Sequence, residues 1–76
     1  ALSETKANQR QTAFDALSSR EKQLVKLASQ GVATRAAAER LGIAQRTAEF
    51  HKASAMRKLG VHTVTELVEA LKGVKV

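Results

Sequence analysis

The chain contains no cysteine, no proline, only four glycines and no long apolar run. Each absence removes a class of protein. Without cysteine there is no disulfide framework, no thiolate zinc site and no cysteine nucleophile. No stretch approaches the roughly 18 apolar residues of a membrane span, and no signal peptide is visible. The lack of proline, set beside fourteen alanines, favours helix strongly, because alanine has the best helix propensity and proline the worst. Acidic groups are scarce too. Seven of them stand against thirteen basic residues, for a net charge of +6, which favours an acidic partner over an acidic substrate. What remains is 76 residues, enough for one small domain that buries about 60% of the surface its unfolded chain exposes. The 43% hydrophobic fraction overstates that core because so much of it is alanine. Beginning at Ala1 without a methionine, the chain is expected to be a piece of something longer.

The positive charge is concentrated. Residues 34–58 carry six basic and two acidic groups, while residues 59–76 carry two of each. This is a localised electrostatic footprint rather than a uniformly charged surface. Residues 1–13 hold one bulky apolar side chain, Leu2, so residues 1–16 read as an interdomain linker or a loose helix, with a domain over 17–76. Helical signals begin at Ser18, where Ser18-Ser19-Arg20-Glu21 fits a capping box. Leu24, Val25, Leu27 and Ala28 follow on one face, and Gly31 ends the helix. A second helix is expected over about 34–41 with Ala37, Ala38 and Leu41 inward, a third over about 45–59, and a fourth from Thr63, with Thr63 to Glu66 a second capping-box candidate. Val64, Leu67, Val68 and Leu71 line one face of the last. The fold class is therefore all-α: a four-helix bundle with a central helix-turn-helix.

The middle pair is the informative one. Leu41-Gly42-Ile43-Ala44 is a glycine-containing connection of helix-turn-helix length, and the second helix of such a unit enters the DNA major groove. At 100° per residue Ala48, His51, Ala55 and Leu59 share one stripe of the third helix, with Met56 at its edge. Arg46, Glu49, Phe50, Ala53 and Arg57 share the opposite stripe. A phenylalanine between arginines suits a nucleic-acid groove better than open water.

Leu17-Ser18-Ser19-Arg20-Glu21, Leu24-Val25, Gly31, Ala38, Leu41-Gly42-Ile43, Thr47, His51, Arg57-Lys58-Leu59-Gly60-Val61 and Thr65-Glu66-Leu67-Val68 together resemble the LuxR-type helix-turn-helix domain, the NarL/FixJ group included. The resemblance runs from about Leu17 to Leu71 without a gap. It implies the C-terminal output domain of a cytoplasmic bacterial transcription regulator, such as a two-component response regulator or a quorum-sensing regulator. It further implies sequence-specific binding to double-stranded DNA, pairing with a second copy on DNA through the last helix (63–72), and an upstream receiver or ligand-binding domain. The chain departs from the pattern at Ala33 and Ala44, where the family usually has a capping side chain, at Ala37, Ala48 and Ala55, where it has bulkier aliphatics, and at Glu49, where it often has a basic residue. The small residues call for a smaller core or closer helices. Thr34 is left to cap the second helix one residue late.

The base contacts expected are Glu49, Phe50 and Ala53, with Arg46 beside them; the phosphate contacts expected are Thr34, Arg35, Gln45, Thr47, Lys52, Arg57 and Lys58. Plainer readings stand next to these. Arg35 and Glu39 are spaced for a surface ion pair, Glu49 is within reach of Arg46 and Lys52, and His51 suits a packed, hydrogen-bonded histidine as well as a phosphate contact. His62 and Glu66 are too few for a metal site. No paired carboxylates or phosphate loop occur, and none of Ser18, Ser19, Ser29 and Ser54 sits in a nucleophile elbow, so neither catalysis nor a cofactor is expected. A helical protein-interaction module with a basic surface remains the alternative, followed by a basic unit acting on RNA or anionic membranes.

Overall fold

Helix ends in this chain are set by local chemistry. The Ser18 hydroxyl accepts from the Glu21 N–H at 3.2 Å, and the Ser18 N–H donates back to Glu21 Oε1 at 2.8 Å, closing the expected capping box. At the other ends, Gly42 and Gly60 take left-handed φ values of 68° and 72°, which a side chain would disfavour. Each lets the next residue fold back over the helix it leaves: Ile43 N–H bonds Ala38 O, and Val61 N–H bonds Met56 O, both at 3.0 Å.

The computed structural model describes residues 2–75, with side chains from residue 9 onward. Ala1 and Val76, the outer ends of the two expected segments, lie outside the described residues, as does the side chain of Leu2. Five helices follow in order: α1 (Leu2–Asp15), α2 (Ser19–Ser29), α3 (Thr34–Leu41), α4 (Gln45–Leu59) and α5 (Val64–Leu71). The all-α class holds, and α2 to α5 are the four helices expected. The first helix is additional to that count. Its last turn is anchored: Phe14 and the following Leu17 are buried with Val25, Ala28, Ala55, Val61 and Leu67. Gln11 also clamps the far end of the chain, accepting from the Lys75 N–H at 2.8 Å and donating to the Lys75 carbonyl at 3.2 Å.

A second cluster lies on the other flank of α2, where Leu24, Ala37, Ala38 and Ala48 are buried and Leu27, Val32, Leu41 and Ile43 pack partly against them. α2 and α4 contribute to both clusters, Leu24 and Ala48 to one, Val25 and Ala55 to the other. Among the described residues no helix is long and apolar enough to cross a membrane.

Three sequence expectations need correction. Thr34 does not cap α3: Ala33 is the N-cap, with no side-chain hydrogen bond. The Thr63 box forms only half: its hydroxyl accepts from Glu66 N–H at 3.1 Å, while the Glu66 carboxylate reaches one residue further back to His62 N–H at 2.7 Å. Val64, expected inward, is 42% exposed, because it opens α5 in the first turn, where it overhangs the core that fully buried Leu67 enters.

The contrast within α5 is testable by denaturant unfolding. Leu67→Ala should destabilise by about 2–5 kcal/mol, whereas Val64→Ala should stay within about 0.5 kcal/mol of the parent. Equal losses at both positions would place the inward face of α5 elsewhere.

Candidate nucleic-acid interface

α3, the three-residue turn Gly42-Ile43-Ala44 and α4 form the helix-turn-helix. Packing fixes which way α4 faces. Ala48 and Ala55 are fully buried, and Met56 and Leu59 are partly so. With that stripe turned inward, Arg46, Glu49, Phe50, Ala53 and Arg57 all stand exposed on the opposite side. Phe50 has 66% of its surface in water, the most exposed large apolar side chain among the described residues. Sequence periodicity identified this face correctly because α4 is long enough to show its period.

His51 is half-buried at the margin of the core stripe. Its ring meets Phe50 edge-on, with centroids 5.8 Å apart and an interplanar angle of 71°. Among the described residues it makes no side-chain hydrogen bond, so the contact is one of rings alone.

The polar residues flanking the face are partly organised already. Gln45 donates to Glu49 Oε1 at 3.2 Å, an exposed contact, and among the described residues the other carboxylate oxygen has no hydrogen bond. Glu49 makes no ion pair with Arg46 or Lys52 among the described residues. Lys52 Nζ lies 3.4 Å from Thr34 Oγ1, which brings the start of α3 beside the middle of α4. Arg35 approaches Glu39 at 3.9 Å with both side chains three-quarters or more exposed, a contact too solvated to hold either group. Thr47 is exposed. The first turns of both α3 and α4 begin at alanine N-caps, Ala33 and Ala44, without a side-chain acceptor.

Lys58 is differently placed from the other cations. Its Nζ sits 2.9 Å from Oε1 of Glu21, a carboxylate only 4% exposed. The Ser18 N–H holds the Glu21 carboxyl down from an ordinary 4.5 to about 2, against the opposing effect of burial and with help from Ser54, Lys58 and the Ser18 hydroxyl. This node joins the first turn of α2 to the last turn of α4. Sequence reasoning saw Glu21 only as a capping residue, because its partner stands 37 positions away. An acidic residue inside an otherwise apolar α2 stripe was the available signal. Phe14 was also missed; its spacing of three from Leu17 is a helical one, and no longer pattern surrounds it.

Among the described residues no three histidine, aspartate or glutamate side chains gather as metal ligands. What the arrangement offers is a rigid helix carrying an exposed aromatic and two arginines, rimmed by further cations. That is the form of a helix-turn-helix DNA-binding domain. The chain matches the family described as bacterial regulatory proteins, luxR family, over residues 15–71. It belongs to that family, and its helix-turn-helix is that of a DNA-binding regulator. No solved structure matches the chain significantly.

Because the Glu21 carboxyl titrates lower in the folded than in the unfolded chain, the stability it contributes is complete above about pH 4.5. That stability is lost as pH falls toward about 2. Thermal melts over this range should show a stability loss that is much flatter in Glu21→Gln. Lys58→Ala should chiefly destabilise the fold, since it strands a buried carboxylate; a Lys58→Ala protein as stable as the parent would contradict this.

Proposed function

We propose that the chain is the output domain of a bacterial transcription regulator that reads double-stranded DNA by placing α4 in the major groove. The observation that carries this reading is Phe50, left exposed between Arg46 and Arg57 on the face opposite the core. Glu49 accepts from the cytosine N4 amino group through its unclaimed oxygen, with Gln45 orienting the carboxylate. Phe50 and Ala53 meet thymine methyl groups, and Arg46 reaches a guanine edge or a neighbouring phosphate. Thr34, Arg35, Gln45, Thr47, Lys52 and Arg57 supply phosphate contacts that set position rather than sequence. Uncapped amides at the starts of α3 and α4 add to these. Lys58 contributes through the donors it does not give to Glu21.

Pairing takes place on DNA through α5. The exposed Val64 and half-buried Val68 and Leu71 offer some apolar surface there, well short of the more than about 1,000 Å² that stable interfaces bury. Half-sites then recur with dyad symmetry about 34–36 Å apart. The family membership supports an upstream receiver or ligand-binding domain, as in two-component response regulators, with α1 as the connection.

Selection of bound duplexes from a random library tests the reading and reveals the site. Glu49→Gln should move preference at one position from cytosine toward adenine by about 1–3 kcal/mol of discrimination. Lys52→Ala should weaken all sequences alike and lower the salt slope by about one. Base preferences unchanged in Glu49→Gln would remove Glu49 from the readout. Sedimentation should find the free domain largely monomeric; a tight dimer without DNA would refute pairing that forms only on the operator.

A further inference from the structure

A hollow opens beside the C-terminal half of α4, lined by Ala53, Met56, Arg57, Gly60, Val61 and His62. We propose that it seats one sugar–phosphate unit of the duplex, with His62 as a phosphate-binding residue opposite Arg57. This rests on α4 being the DNA-reading helix.

The hollow follows from how α4 ends. Gly60 turns left-handed, which folds Val61 back into the core and throws His62 outward. The His62 backbone is then pinned by the Glu66 carboxylate at 2.7 Å, immediately before the Thr63 cap of α5. An exposed imidazole thus stands on a fixed backbone instead of a floppy loop. Besides His62 and Arg57 the lining is apolar, made by Ala53, half-buried Met56, Gly60 and Val61. No carboxylate lines the hollow among the described residues.

An apolar lining that also holds one guanidinium and one imidazole suits an occupant with both an apolar and an anionic part. A deoxyribose with its phosphate has that character, and phosphate contacts are where most protein–DNA hydrogen bonds go. The hollow is also continuous with the reading face, since Ala53 and Arg57 belong to both. A helix lying in the groove with Phe50 at the bases brings its C-terminal end to the strand that walls the groove.

The test uses fluorescence anisotropy with the duplex selected by the wild-type domain, and with copies carrying one uncharged methylphosphonate at each backbone position in turn. His62→Ala should weaken binding about three- to tenfold, the worth of one hydrogen bond. His62→Lys, which fixes a full charge at the site, should steepen the salt slope by about one. At one phosphate per half-site the methylphosphonate should abolish the His62→Ala penalty. Thermal melts confirm that both variants fold. A penalty that is absent, or equal at every methylphosphonate position, overturns the seat alone. Failure of the wild-type domain to bind any duplex in a salt-dependent way overturns the seat together with the functional reading beneath it.

Discussion

The exposed face of this domain's helix-turn-helix depends on α4 being held from behind by methyl groups. Ala48 and Ala55 are fully buried, and Ala37 and Ala38 of α3 nearly so. An alanine buried to this degree cannot span a gap, so neighbouring backbones must come close to it. The position of α4 is then set by helix-to-helix approach instead of by long interlocking side chains, and little freedom remains in its rotation. That rotation decides whether Glu49, Phe50 and Ala53 face outward together. Larger residues at positions 48 or 55 would push α4 off α2 and α3, and overpacking of this kind costs about 1–3 kcal/mol.

Glu21 complements this packing with charge. A buried carboxylate is costly unless its lone pairs are satisfied, and here the Ser18 N–H and the Lys58 ammonium both meet it. No buried side-chain nitrogen or oxygen is left without a partner among the described residues. The same carboxylate therefore completes the start of α2 and fixes the end of α4. Two clusters of apolar residues could slide on each other along α2, whereas a charged hydrogen bond at one corner has a single geometry.

Local chemistry was legible in the sequence and distant chemistry was not. Ser18 with Glu21, the glycine stops at Gly42 and Gly60, and the two stripes of α4 all depend on residues within a few positions of one another. The Glu21–Lys58 pair and the Gln11 clamp on Lys75 join residues 37 and 64 apart. No periodicity announces such contacts. The existence of α1 was obscured because its sequence has almost no apolar stripe; Phe14 and Leu17 hold its end by tertiary contact. Val64 failed for the opposite reason. Its spacing from Leu67 and Leu71 is helical, but a first-turn residue can fit the stripe and still overhang the core. Of the candidate site, the outward face of α4 could be read in advance, while the engagement of Lys58 by Glu21 and the hollow at His62 could not.

The two phenylalanines show what the fold gives up for that face. Phe14 is 3% exposed, while Phe50 is 66% exposed on α4. Burying such a side chain contributes roughly 1.5–3 kcal/mol, a large increment for a domain in which nearly half of the buried hydrophobic residues are alanine and whose class has only about 5–15 kcal/mol in total. A sequence shaped by stability alone would place a polar residue at position 50 or turn the ring inward. The ring instead lies edge-on to His51, a contact that leaves most of it in water. Apolar exposure on a helix whose other face is locked into the core, rimmed by cations, is therefore a loss of stability that the fold carries at the face proposed to meet DNA.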